Sequence, residues 1–213
     1  MGTRHMIAVV NDGRYRVAQY GQWDGYPSGQ GVDILEFLLT GNVAALRTNS
    51  LKCSFISDEE YSELWKDFGI DIQQQAFVDG EIAKKFKEKY PQLYRDAGSD
   101  VLGMVAAADK GLKLLDDYTV AADSLFCEWA YVIDFDKDTF EVYEGFNTSP
   151  LDRSERFFGL SSRSNNPSED SKYYPVKLKA AFSLSALPTK EDFLSRCEPP
   201  EDGDWKVEDD DNE

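Results

Sequence analysis

The hydrophobic pattern changes period several times along the chain, and each change marks an element. Residues 5–10 (His-Met-Ile-Ala-Val-Val) form a strand-like apolar run, and residues 14–20 alternate. Tyr15, Val17 and Gln19 fall on one face, with Arg16, Ala18 and Tyr20 on the other. The intervening Asn11-Asp12-Gly13 contains the Asp-Gly pair that favours a tight hairpin turn. A second hairpin is predicted over residues 130–143, around Asp136-Lys137-Asp138-Thr139. Residues 174–184 read as a half-exposed strand, and 51–56 as a short one.

Between these strands the spacing becomes three and four. Val32, Ile34, Leu35, Leu38 and Leu39 define a helix that ends at Gly41-Asn42, with a short second helix through 43–46. Ser57-Asp58-Glu59-Glu60 is a capping box for a helix that stops at Gly69. Residues 81–90 are amphipathic, with Ile82, Phe86 and Tyr90 inward, and Ser99-Asp100 opens an apolar helix. Thr189 caps a last helix. The pattern predicts one α+β domain over residues 1–200, built from antiparallel sheets and helices, with a mostly helical insertion at about 43–120. Residues 201–213 are expected to be a disordered acidic tail.

The stretch that breaks this regularity lies at residues 16–37, where Gly21, Gly25, Gly29 and Gly31 interleave with Tyr20, Trp23 and Tyr26. Gln19, Gln22, Asp24, Ser28 and Gln30 fill the remaining polar positions. Glycine permits positive φ or close approach, aromatic rings supply flat faces, and amides supply neutral hydrogen-bonding tips. Two readings follow: a compact turn packed on its own rings, or the wall of a pocket for a small polar or anionic ligand, with Arg4 and His5 on its floor. The glycine-rich turn leads into a helix N-terminus, which can receive phosphate or carboxylate, although Asp33 can occupy that place as a cap.

Charge and composition narrow the chemistry. The 213 residues carry a net charge of -17, which disfavours direct contact with a nucleic-acid backbone. Residues 198–213 hold nine acids and one lysine, so half of the excess sits at one end. No apolar run has the length of a membrane span, and the opening residues do not resemble a signal peptide, so a soluble cytoplasmic protein is expected. The three cysteines Cys53, Cys127 and Cys197 have no zinc-like or disulfide spacing, and Cys127 reads as a small buried apolar residue. His5 is the only histidine, so one chain cannot build a multi-histidine metal site, and neither metal nor cofactor is expected.

Common enzyme signatures fail in turn. The loop lacks the Gly-Lys-Ser/Thr ending of a phosphate-binding loop and the third glycine of a dinucleotide fingerprint. Ser28 lacks the preceding glycine of a nucleophile elbow. Asp134, Asp136 and Asp138 begin like a calcium loop, but Thr139 stands where glycine is required. Asp24 and Glu128 are a candidate acid–base pair of unknown separation. Arg153, Arg156 and Arg163 either reach an anionic ligand or pair with carboxylates, and pairing is the favoured reading.

The run Val-Ala-Gln-Tyr-Gly-Gln-Trp-Asp-Gly-Tyr-Pro-Ser-Gly-Gln-Gly (residues 17–31) resembles a family of uncharacterised phage and fungal proteins, as do Gly-Thr-Arg-His at 2–5 and the segment 128–134. That resemblance implies no activity. More distantly, the early strand and hairpin, helical middle and late strands resemble the N-terminal nucleophile hydrolases. This second likeness implies αββα layering and a catalytic residue at the mature N-terminus, for which Thr3 is the candidate only after cleavage beyond Gly2. His5 and Asp24 complete the catalytic candidates. The functions left are a pocket protein that hydrolyses or sequesters a polar or phosphorylated metabolite, an acidic inhibitor that binds a protein partner, or a loop that only closes the core.

Overall fold

The computed structural model describes residues 2–75, 77–160 and 173–198. The predicted acidic tail and Arg163 lie outside the described residues. The first hairpin is β1 (His5–Asn11) and β2 (Arg14–Gly21), joined at Asp12 and Gly13. Both turn residues have positive φ, 57° and 67°, the combination that matches the twist of a two-residue hairpin. A bulge between Val9 and Val10 places Tyr15 opposite Val10. The second hairpin is β5 (Trp129–Asp134) and β6 (Thr139–Glu144), and β7 (Lys177–Ser183) pairs antiparallel to β6.

The two hairpins are joined by a parallel pairing of β1 with β5, which gives a five-stranded sheet in the order β2-β1-β5-β6-β7. β1 is buried at every position, as expected of a strand covered on both faces. Ile7, Val9, Val17, Tyr131, Ile133 and Val142 pack against α1 (Val32–Thr40), α2 (Val43–Ser50), α5 (Asp100–Ala107) and α6 (Lys190–Cys197). Met6, Ala8, Val10, Ala130, Val132 and Tyr143 form the other face, packed with Ala121, Leu151, Phe157 and Val176 from the connecting segments. The fold is therefore mixed α+β. A second sheet stacked face to face on the first is not found among the described residues.

The middle of the chain is helical, with one addition. The segment predicted as a strand at 51–56 shortens to β3 (Ser54–Phe55), because α2 continues to Ser50 and a turn through Cys53 follows. β3 pairs in parallel with β4 (Lys113–Leu114) and so ties the two ends of the helical middle together. Between them, α3 (Asp58–Lys66) has the predicted capping box at Ser57 and Glu60. α4 (Gly80–Lys89) supplies Phe86, whose ring stacks on Trp65 at 3.8 Å. These rings, with Ile70 and Leu93, form a hydrophobic cluster distinct from the two that cover the main sheet.

Candidate functional site

The glycine-rich segment follows β2 and crosses one end of the sheet. Its glycines are needed for close approach. A Cβ on Gly21 would lie 2.3 Å from the His5 ring, one on Gly25 2.7 Å from the Thr3 carbonyl, and one on Gly29 2.3 Å from the Asp24 carbonyl. None of the four adopts positive φ; Asp24 does, at 54°. Gly25 N–H donates to the Thr3 carbonyl at 3.1 Å, and the Tyr131 hydroxyl donates to the Gly25 carbonyl at 2.8 Å. The loop is thus fastened to the sheet at its centre.

Side chains of the loop separate into three groups. The first lines an open recess of about 530 Å³ bounded by Arg4, Tyr20, Gln22, Arg95, Asp117 and Phe126, with Gly2 and Val120 completing it. Strand alternation puts Tyr20 on the face of Met6 and Ala8, so this recess opens on the sheet side that lacks the long helices. Arg4 Nε donates to Glu128 Oε1 at 3.1 Å, its Nη2 donates to the Leu125 carbonyl at 3.2 Å, and its guanidinium lies 4.5 Å from the Phe126 ring centre. Arg95 is 58% exposed, with its nearest ionic contact, Asp96, at 4.0 Å. Burial pushes the Tyr20 hydroxyl above its ordinary pKa, and the charges of Arg4 and Arg95 pull it back. Asp117 Oδ2 accepts the Tyr20 N–H at 3.0 Å and so closes the open edge of β2.

The second group braces neighbouring segments. Gln19 Nε2 donates to the Tyr94 carbonyl at 3.0 Å, and Gln30 Oε1 accepts the Ser99 N–H at 2.7 Å. The two amides hold the connector that carries Arg95 to the recess. Glu198, just beyond α6, accepts the Ser28 N–H at 3.0 Å and pairs closely with the Ser28 hydroxyl. A carboxylate of the chain itself therefore occupies the turn that leads into α1.

The third group faces solvent: Trp23 is 49% exposed, and Asp24 and Tyr26 are exposed as well. The indole of Trp23 lies against Gly2, at the margin of the recess. Thr3 and His5 are buried, and His5 lies on the opposite sheet face from Tyr20. Burial pushes the His5 imidazole down to about 4, against weaker opposing effects of the Thr3 backbone and the Asp24 carboxylate. Among the described residues neither ring nitrogen of His5 has a hydrogen-bond partner, nor does Gln19 Oε1.

Of the candidates read from sequence, the structure brings Arg4, Tyr20 and Gln22 together. Arg95, Asp117 and Phe126 join them from distant parts of the chain. No local pattern marked those three, because Arg95 sits in an ordinary polar connector and only the tertiary fold carries it to Tyr20. Glu128 is committed to Arg4. Arg156 pairs with Asp134 at 2.5 Å and Glu141 at 2.7 Å beneath the sheet. Cys127 is buried and its thiol is pushed up to about 12 by that burial, so it stays protonated at neutral pH. Among the described residues no cluster of three metal-ligating side chains occurs, and no helix is long and apolar enough to cross a membrane. The chain matches no family model, no curated protein and no solved structure.

Proposed function

We propose that the recess between Arg4, Tyr20, Gln22, Arg95 and Phe126 binds a small ligand with an anionic group beside a flat or apolar face. The observation that carries this reading is the convergence of two guanidinium groups and two aromatic rings on one opening, in a chain whose net charge is -17. Arginine offers five donors in a planar fork suited to carboxylate or phosphate. Arg4 is already oriented by Glu128 and Leu125, which reduces the entropy lost on binding. Tyr20 and Phe126 supply faces, and the Gln22 amide supplies both donor and acceptor.

The lining supports sequestering more than hydrolysis. It contains no serine, threonine, cysteine or histidine, and its one carboxylate, Asp117, receives the Tyr20 N–H. Thr3, the residue that the N-terminal nucleophile likeness points to, is buried with its carbonyl engaged by Gly25.

A titration with phenyl phosphate, and with benzoate in parallel, tests the reading by nitrogen-15 NMR and calorimetry. Shifts confined to Gln22, Arg95 and the backbone around Tyr20 are expected. Arg95→Ala should weaken binding by roughly tenfold or more, the scale of a lost charged hydrogen bond. Absence of recess shifts at millimolar probe, or equal binding by Arg95→Ala, would overturn it.

A further inference from the structure

Two features stand outside the ligand reading: the acidic segment after α6, and the exposed rings between Gln22 and Ser28. Trp23 and Tyr26 are half exposed, on the stretch of loop that runs from the recess to the start of α1. At the far end of that stretch Glu198 accepts the Ser28 N–H at 3.0 Å. The acidic segment therefore begins at a point fastened to the loop that borders the recess. We propose that the recess is a docking surface for the chain's own segment 201–208, with the Asp204 carboxylate and the Trp205 indole as its contacts. This rests on the recess being an anion site, as proposed above.

Chemistry selects the segment. The recess offers two guanidinium groups beside aromatic rings, and Asp204-Trp205 places a carboxylate next to a flat apolar ring. Residues 199–213 carry eight acids and one lysine, Lys206, and the rest of the chain is net negative as well. The segment is therefore repelled from most of the surface and drawn to where cations gather. Lys87 adds a further cation beside the connector: its Nζ lies 4.9 Å from the ring centre of Tyr94, the residue before Arg95. The carboxylates that adjoin the recess are engaged. Glu128 pairs with Arg4, and Asp117 accepts the Tyr20 N–H. Asp96 lies 4.0 Å from Arg95, too long for a hydrogen bond. Asp24, on the loop between, is exposed and screened by water and salt.

Length allows the contact. Gln22 and Ser28 are six residues apart, so at most about 22 Å separates their backbones. Asp204 and Trp205 follow Glu198 by six and seven residues, a reach of up to about 25 Å. The segment can thus return along the loop to the recess, over Trp23 and Tyr26. A segment tethered this closely is present at an effective concentration on the order of millimolar, so a ligand must displace it.

The test uses the full chain with a nitroxide spin label on Val207→Cys, since Cys53, Cys127 and Cys197 are all buried and stay unlabelled. Nitrogen-15 NMR then reads the paramagnetic broadening. The expected result is broadening concentrated at Gln22, Arg95 and Phe126, and its loss when Asp204→Asn and Trp205→Ala are added. The same two substitutions in the unlabelled chain should tighten phenyl phosphate binding by up to about tenfold, the scale for removing a tethered millimolar competitor. The proposal is overturned by broadening that misses the recess, or that persists there with both substitutions. It is equally overturned if a labelled nitrogen-14 chain broadens the recess of an unlabelled nitrogen-15 chain, which would assign the occupant to a second copy. Unchanged probe affinity with no broadening removes only the docked segment, whereas probe shifts in neither chain remove the ligand reading itself.

Discussion

Gly21 is a residue whose identity is dictated by one neighbour. A side chain there would begin 2.3 Å from two atoms of the His5 ring, which is itself only 1% exposed. Gly21→Ala should therefore cost roughly 1–3 kcal/mol, the range for inserting atoms into a packed site, measured as a lower urea midpoint at unchanged slope. The glycine content of the loop was legible in the sequence, but the use made of it was not. Periodicity says nothing about which backbone passes over which ring, and the one positive φ of the loop falls on Asp24, whose short polar side chain tolerates it. Gln19 and Gln30 show the same limit from the other side. Their amides read as ligand contacts from composition, and in the fold they brace the backbone on either side of Arg95.

At the scale of elements, local signals identified nearly every helix start and both hairpins, because caps, Asp-Gly turns and alternation act over a few residues. Ser57, Thr189 and the Asp12-Gly13 turn are examples. The parallel contact of β1 with β5 is more than 100 residues apart in sequence and has no local signature, yet it brings Arg4 beside Glu128. Arg156 depends on the same assembly. It is buried to 9% exposure between Asp134 on β5 and Glu141 on β6, and Tyr143 donates to Glu141 at 2.6 Å. The sequence predicted pairing for this arginine without naming its partners. Burial pushes both carboxyls up, and the guanidinium with its accompanying hydrogen bonds overcomes that and leaves both below their ordinary values. Arg156→Met would leave two buried carboxylates without a counter-charge. A loss of about 3–5 kcal/mol in unfolding free energy at pH 7 is expected, much more than an exposed pair such as Lys66–Glu63 provides.

Considered as a whole, the molecule has two buried ionisable centres on opposite faces of one sheet, and acid acts on them in different windows. His5 has a folded pKa below its ordinary 6.5, so the unfolded chain binds the extra proton first as pH falls. Its contribution to stability is complete above about 6.5 and declines as pH drops toward 4, by about 3 kcal/mol in all. Asp134 and Glu141 also have lowered folded values, but from ordinary values of 3.8 and 4.5, so their contribution is intact above those and is lost as pH falls below them. Relief of repulsion in a chain of net charge -17 partly offsets both, which is why total stability alone does not separate them. Differences between variants do. Urea unfolding across pH should show the His5→Gln difference from wild type changing between pH 6.5 and 4. The Arg156→Met difference should shrink as well, beginning above pH 4.5, because without the guanidinium burial raises the two carboxyls above their ordinary values and they become neutral earlier. In the double variant the two differences should add at every pH, and a departure from additivity would mean that the two faces of the sheet titrate as a single coupled unit.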